Sequence, residues 1–217
     1  MSNYMIHTCP KRKWYVDKYL IPSMLEQGIK FEDITIYSDD KKDGHLVAFL
    51  KSCEQLSGSG TWHLQDDIII SSLFRTQTEA YDDGVVCGFC NNYSKYKDSG
   101  YVSVSKMWYS MPCIRIPDFM MRGFLDWFKQ DAIQERFRHC IIANKHSDVL
   151  IDAYLKEEYP DLMVLHLKPN IINHIDHLIG GSIINKGRSQ DTEYIMSVYW
   201  KEPKLIKELE EKLNGKA

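Results

Sequence analysis

The sequence predicts an α/β fold, in which helices cover a mostly parallel sheet, formed as a single domain over residues 1–217. Apolar, strand-like runs lie at 4–6, 34–37 and 61–64, and helix-like patterns lie between them at 14–27 and 46–56. Strands that alternate with helices are typical of a parallel sheet with right-handed crossover connections. The length suits one domain, and the sequence shows neither a repeat nor a linker.

The first half of the chain supplies three strands in order. Pro10 ends the first strand, because proline has no N–H for a ladder hydrogen bond. The next helix is predicted to bend near Pro22 and to close at Gly28. A polar turn at 38–44 follows the second strand, and the third strand ends in the polar residues 65–67.

The second half repeats the alternation with a longer loop. The strand at 102–108 alternates with period two, which is typical of an antiparallel or edge strand. In chain order, the predicted elements are a strand at 85–90, a loop at 91–101, a strand at 102–108, helices at 118–138 and 147–159, a strand at 162–167 and a helix at 203–213.

Composition and charge exclude several classes of protein. Apolar residues make up 44% and charged residues 26% of the chain, as in soluble globular proteins, and the net charge of −3 gives no general attraction to nucleic acid or anionic lipid. No apolar run approaches the roughly 20 residues of a membrane span, and the polar first residues do not resemble a signal peptide. Six cysteines without framework spacing suit reduced thiols. We therefore expect a cytoplasmic protein.

Two adjacent carboxylates, Asp66 and Asp67, stand between the apolar strand at 62–64 and the apolar run at 68–70. Buried charges are costly unless a cation or hydrogen bonds compensate them. Ligands of open α/β sheets bind at the carboxyl ends of strands, and Mg²⁺ or Mn²⁺ on a phosphate-bearing substrate needs only one or two carboxylates. The alternative is a polar strand end in which Asp67 caps a helix.

Three motifs in this order resemble the small glycosyltransferases of the GT-A fold, most of all the short bacterial and phage members. They are IHTCPKR at 6–12, LQDD at 64–67 and PNIINH at 169–174, so the resemblance spans most of the chain. It implies a three-layer αβα sandwich that binds a nucleotide-diphosphate sugar, most simply a UDP-sugar. It also implies that Mn²⁺ or Mg²⁺ is held on the diphosphate.

The resemblance also implies a set of metal ligands. In the family an acidic motif and a late histidine hold the ion, which here points to Asp67, with Asp66 as the other candidate, and to His174, with His177 as its rival. The first acid of the family motif faces the ribose, but this chain has Gln65 there. Residues 65 and 67 share a face of an extended strand, so we assign Asp67 to the metal and Gln65 or Asp66 to the ribose. A structural hydrogen-bond donor is the alternative role for His174.

Further nucleotide contacts follow from the same resemblance. Thr8, Pro10 and Arg12 match the place where the family backbone and a basic side chain receive the nucleotide. A solvated basic cluster at a helix start is the alternative for this segment. Asp39 matches an acid that meets the base or the ribose, although a turn needs aspartate just as readily.

Two positions in the second half complete the expected site. Lys186 and Arg188, in a glycine-rich basic segment, are expected to approach the diphosphate, with a surface loop as the alternative. Asp148 resembles the base that opens a helix in inverting members and takes the proton of the acceptor hydroxyl. Acids in the first turn of any helix also interact favourably with its dipole, which is the alternative for Asp148.

The sequence thus predicts a metal-dependent glycosyltransferase that moves a sugar from a nucleotide-diphosphate donor to a hydroxyl acceptor. The acceptor is a glycan, a protein or, for a phage enzyme, a hydroxylated DNA base. A metal-dependent nucleotidyltransferase or phosphohydrolase is the second interpretation, because it uses similar acids to attack phosphorus. A non-catalytic interaction protein is the third. The oligomeric state does not follow from the sequence.

Overall fold

A computed structural model describes residues 2–56, 58–81, 83–89, 99–106, 112–168, 170–175, 179, 207 and 211. The strands are β1 (Asn3–Thr8), β2 (Ile34–Ser38), β3 (Thr61–Gln65), β4 (Ile68–Ile70), β5 (Val86–Cys87), β6 (Gly100–Ser103), β7 (Cys113–Ile116), β8 (Met163–His166) and β9 (Ile172–His174). Seven of them form one sheet in the order β2-β1-β3-β7-β5-β8-β6, and β4 pairs with β9 in a separate small sheet.

The helices connect these strands and lie on both faces of the main sheet. They are α1 (Lys13–Tyr15), α2 (Ile21–Glu26), α3 (His45–Cys53), α4 (Phe74–Ala80), α5 (Asp118–Phe128), α6 (Asp131–Arg136), α7 (Arg138–Ala143) and α8 (Ser147–Glu158). A π-helical turn, Val16–Leu20, joins α1 to α2, and Pro22 lies in the first turn of α2, where its missing N–H costs little. No described helix is long and apolar enough to cross a membrane.

Strand directions confirm the predicted α/β class. β1 is parallel to β2 and β3, and β5 is parallel to β8, whereas β7 is antiparallel to both β3 and β5. The edge strand β6 is antiparallel to β8, as the period-two pattern predicts. Strands β1, β2, β3, β5 and β8 therefore point the same way, and their carboxyl ends share one edge of the sheet.

Two buried apolar clusters, one on each face of the sheet, produce the three layers. Tyr4, Ile6 and Leu64 project from β1 and β3 to one face, where they meet the helical segment that contains Leu20 and Met24. On the other face, residues of β5, β7 and β8 pack against α3, α5 and α8. Because side chains alternate along a strand, β5, β7 and β8 each contribute residues to both clusters.

Several elements differ from the sequence-based expectation. The apolar run at 68–70 is the separate strand β4, and β7 is a strand that the sequence pattern did not reveal. The predicted helix at 118–138 is divided, because Gln130 adopts an extended backbone (ψ 132°) between α5 and α6. The predicted helix at 203–213 falls almost entirely outside the described residues.

Candidate functional site

The candidate site lies where β1 and β3 end, at the edge shared by the carboxyl ends of the parallel strands. Thr8 is the last residue of β1, and Asp66 and Asp67 directly follow β3, which pairs with β1 in parallel. Arg12 precedes α1 in the turn after β1, and its N–H donates to the carbonyl of Cys9 (2.9 Å). The fold therefore brings the first two predicted motifs together.

A buried cation joins the two carboxylates. Arg12 donates from Nη1 to Asp66 Oδ1 (3.0 Å) and also to Asp67 Oδ2. Thr8 Oγ1 donates to the other oxygen of Asp66 (2.9 Å). All four residues are at most 7% exposed, so these charges compensate one another away from bulk water. The solvated basic cluster that the sequence allowed is therefore not the environment of Arg12.

His174 contacts the carboxylate of Asp67, and the pairing of β4 with β9 brings the two residues together. In the antiparallel pair β4–β9, Ile68 lies opposite His174. Their neighbours, Asp67 before β4 and Ile175 after β9, therefore lie next to each other. The N–H of Ile175 donates to the Asp67 carbonyl (2.8 Å), and His174 Nε2 lies 3.1 Å from Asp67 Oδ1. The pairing of Asp67 with His174 is thus built into the backbone ladder.

The electrostatics of the two acids differ. Burial raises the pKa of Asp67, but the neighbouring His174 and Arg12 outweigh burial and hold that pKa well below its usual range. Burial, together with the charge of Asp67, raises the pKa of Asp66 to about 6 despite Arg12 and Thr8. Asp67 is therefore the stronger acid of the pair, and Asp66 is the weaker one.

The side chains fit a divalent ion in kind. Mn²⁺ accepts carboxylate and imidazole ligands, and such ions usually complete their shell with water and substrate oxygens. In the part of the chain that the structure describes, no three histidine, cysteine or acidic groups are arranged to hold an ion. Asp66 has both oxygens engaged by Thr8 and Arg12. Both oxygens of Asp67 are engaged as well, by Arg12 and His174, so an ion held by Asp67 and His174 would have to displace Arg12 from Asp67.

Asp39, at the end of β2, uses its carboxylate within its own loop. Oδ1 accepts from the N–H of Asp43 (2.7 Å) and Oδ2 from that of Gly44 (3.0 Å), while the Asp39 N–H donates to the carbonyl of Thr8 (2.9 Å). This arrangement is the turn that the sequence analysis considered as the alternative. It holds the β2–α3 loop against the end of β1.

Asp148 lies in the first turn of α8 and is partly buried. Ser147, the residue before it, contacts His45 at the start of α3, with 2.9 Å between Oγ and Nε2. Burial lowers the pKa of His45, and the charges of Asp148 and Asp67 act in the opposite direction. Asp148 and Asp67 therefore both lie close enough to His45 for their charges to influence its pKa.

The other predicted contacts are placed less directly. Gln65, partly buried, ends β3 and donates its N–H to the carbonyl of Pro112 (3.1 Å). Pro10 is exposed in the turn after β1. Lys186, Arg188 and His177 lie outside the described residues.

His45 is the residue at this site that the sequence analysis did not identify. It directly follows Gly44, where the polar turn after β2 meets α3. That position, after a parallel strand and at the edge where ligands bind, is the signal that points to it. Its partner Ser147 is far away in sequence, so no local pattern indicates the contact.

Comparisons with known proteins add little to this geometry. No protein-family model matches the chain, and no curated protein matches it. Among solved structures, one described as a glucose-1-phosphate thymidylyltransferase from Bacillus anthracis in complex with sucrose aligns with 80% of this chain and 89% of its own. The identity is 10% and the TM-score is 0.43. At that distance the likeness assigns this chain no family, substrate or reaction.

Proposed function

We propose that the protein is a metal-dependent glycosyltransferase that moves a sugar from a nucleoside-diphosphate donor, with uridine as the base, to a hydroxyl acceptor. The observation that carries the proposal is the buried group of Arg12, Asp67 and His174 at the carboxyl ends of parallel strands. Burying such charges is expensive, and their position at the carboxyl ends of parallel strands, where ligands of α/β sheets bind, favours a functional role. The resemblance of the motifs to GT-A glycosyltransferases supports the choice of reaction.

One set of residues is assigned to the nucleotide-sugar donor, and another residue is assigned to the acceptor. Asp67 and His174 would hold Mn²⁺ or Mg²⁺, and the ion would supply positive charge to stabilise the departing diphosphate. Arg12 supplies a fixed positive charge whose planar guanidinium suits phosphate oxygens, and Gln65 or Asp66 faces the ribose. Thr8 keeps Asp66 oriented through its hydroxyl.

Asp148 is assigned to the acceptor. In an inverting transfer the acceptor oxygen forms a bond to the anomeric carbon as the bond from that carbon to the diphosphate oxygen breaks. The proton of the acceptor hydroxyl passes to the Asp148 carboxylate, and the bonding pair leaves with the diphosphate. The acceptor class, whether glycan, protein or hydroxylated DNA base, is part of the proposal that product analysis decides.

A two-stage experiment tests the proposal. First, thermal unfolding is measured with a panel of sugar nucleotides, each with and without Mn²⁺, because a ligand that binds only the folded state raises the unfolding temperature. We expect UDP-sugars to raise it only when Mn²⁺ is present. Second, the stabilising donor is incubated with candidate acceptors, and the nucleotide product is identified. Intact UDP supports sugar transfer.

The other two interpretations predict different results. A nucleotidyltransferase or phosphohydrolase releases nucleoside monophosphate, pyrophosphate or inorganic phosphate. A non-catalytic interaction protein shows no coupling between Mn²⁺ and nucleotide. Either result would replace the proposed function.

A further inference from the structure

The start of α8 has an unusual backbone. His146, the residue before the helix, has φ 67° and ψ 40° and makes no capping hydrogen bond with its side chain. Asn144, two residues earlier, is also left-handed, with φ 50°. Residues other than glycine rarely adopt this conformation and keep it only where neighbouring groups hold it. The groups that hold this segment come from the start of α3.

Asn144 caps α3 from across the fold. Its side-chain Oδ1 accepts from the N–H groups of Leu46 (3.0 Å) and Val47 (3.1 Å), and its Nδ2 donates to the carbonyl of Asp43. The first N–H groups of a helix have no partner within the helix, so Asn144 satisfies two of them. A β-carbon on Gly44 would lie 2.1 Å from Asn144 Nδ2, so the contact leaves no room for another residue there.

His45 makes the second contact between the two helix starts. Its Nε2 lies 2.9 Å from the hydroxyl of Ser147, the first residue of α8, which is 1% exposed. Asp148 follows directly, so the position of Ser147 sets the position of the proposed base. The two contacts, from Asn144 and from His45, attach the start of α8 to the start of α3.

We infer that His45 is a positioning residue for Asp148, since its contact with Ser147 fixes the first turn of α8 and therefore the direction in which the Asp148 carboxylate meets the acceptor hydroxyl. The inference rests on the proposed function for its catalytic consequence. Its structural consequence, an ordered first turn of α8, does not depend on what the protein transfers.

Two amide variants separate positioning from the mere presence of a polar group. In His45→Gln the side-chain nitrogen has about the reach of Nε2, whereas in His45→Asn the amide is too short to reach Ser147. Small displacements of a reacting group cost up to about 100-fold in rate. For the UDP-sugar that the thermal-unfolding experiment identifies, we expect kcat to fall about 10-fold to 100-fold in His45→Ala and His45→Asn. KM for the donor should stay within about twofold. His45→Gln should recover most of kcat.

A coupled variant identifies the partner. Ser147→Ala should lower kcat as His45→Ala does, and the double variant should lose no more than either single variant, because both remove one contact. Additive losses would overturn the inference, since His45 would then act through another group. A rise in KM at unchanged kcat would also overturn it, because His45 would then bind the donor directly.

Hydrogen exchange tests the structural consequence without any substrate. The N–H of Leu150 donates to the carbonyl of His146 (3.2 Å) in the first turn of α8 and reports on its order. We expect faster exchange there in His45→Ala and His45→Asn, and a rate near that of the original protein in His45→Gln. Unchanged exchange in His45→Ala would overturn the inference even if activity fell.

Tyr4→Phe is the matched control. It also removes a long-range contact between side-chain oxygens, Tyr4 OH with Thr78 Oγ1 at 2.7 Å, but at the start of β1, away from the site. It should change neither kcat nor exchange at Leu150. If no sugar nucleotide is turned over, the proposed function fails, while the exchange measurement alone decides whether His45 orders the start of α8.

Discussion

Two buried carboxylates at opposite ends of β3 have contrasting partners. Asp118, at the end where β3 begins, is fully buried and accepts from the N–H of Gly58 (2.7 Å) and from the hydroxyl of Thr61 (2.9 Å). Asp67, where β3 has ended, is 7% exposed and is held by the charged Arg12 and by His174. One carboxylate has neutral partners, and the other has a cation and an ionisable ring.

The contrast separates a structural carboxylate from a candidate functional one. Neutral donors fixed in the backbone and in a strand satisfy Asp118 permanently, which is sufficient to hold a loop against a helix start. The partners of Asp67 are groups that a metal ion or a phosphate can replace or engage. Burial alone therefore does not identify the site, whereas the kind of partner does.

The largest effect is expected from Asp67→Asn, compared with Asp118→Asn. Losing the carboxylate proposed to hold the ion should lower turnover of the UDP-sugar about 100-fold to 1,000-fold and remove the coupling between Mn²⁺ and UDP. Turnover per folded molecule and Mn²⁺ binding, followed by electron paramagnetic resonance, check this. Asp118→Asn should retain both the turnover and the binding of Mn²⁺. Equal losses in the two variants would abolish the distinction between the carboxylates.

Asp118 is expected to contribute to stability although it does not contribute to turnover. Asp118→Ala leaves the Gly58 N–H and the Thr61 hydroxyl buried without their acceptor, so we expect the free energy of unfolding to fall by about 3 kcal/mol. Urea unfolding at pH 7 measures it. A loss below about 1 kcal/mol would mean that water or another group replaces the carboxylate.

The pH dependence of the free energy of unfolding should distinguish Asp66 from its neighbours. Its pKa is raised from 3.8 to about 6, so the folded state binds a proton more tightly than the unfolded state. Its contribution to stability is therefore present at low pH and falls, by about 2 kcal/mol, as pH rises from about 4 to 6. Asp66→Asn should remove this fall in urea unfolding measured at several pH values.

Subtracting the two unfolding curves isolates Asp66 from groups of opposite slope. Burial lowers the pKa of His63 to about 4, so this histidine adds stability as pH rises through the same window. The contribution of Asp67, with its lowered pKa, is lost only as pH falls below about 4. Parallel curves for the original protein and Asp66→Asn would show that the proton on Asp66 is not favoured by folding.

The smallest effect comes from a matched pair of hydroxyl deletions. Thr8→Val and Thr61→Val each remove a hydroxyl that donates over 2.9 Å to a buried carboxylate, one at each end of the sheet. Each should cost about 1 kcal/mol of stability, since valine keeps the shape of threonine and suits a strand. Only Thr8→Val should also weaken the stabilisation by UDP with Mn²⁺. An equal effect of Thr61→Val on the stabilisation by UDP with Mn²⁺ would contradict the assignment of Thr8 to the nucleotide site.

The first half of the fold was predictable because its signals are local. Apolar runs, Pro10 and Gly28 indicate β1, the helical segment after it, and β2 without knowledge of distant contacts. The strands β7 and β9 were missed because each is short and is paired with residues far away in sequence. The apolar run at 68–70 was not predicted to be the separate strand β4, since two polar residues between apolar runs do not show that the chain changes sheets.

The candidate site was predictable to the same extent. Motif order indicated that Thr8, Asp67 and His174 belong to one site, and the structure places all three around it. That Arg12 joins both carboxylates is a matter of side-chain direction, which no spacing reports. The contact of His45 with Ser147 depends on the packing of α3 beside α8 and is equally invisible in the sequence.

The β4–β9 ladder has a mechanical consequence. Asp67 directly precedes β4 and His174 is the last residue of β9, so the backbone hydrogen bonds between these strands hold the carboxylate and the imidazole near each other. The ladder is separate from the seven-stranded sheet, so bending or twisting of that larger sheet need not pull the two side chains apart. Their spacing thus depends on the pairing of β4 with β9 and not on a ladder of the larger sheet.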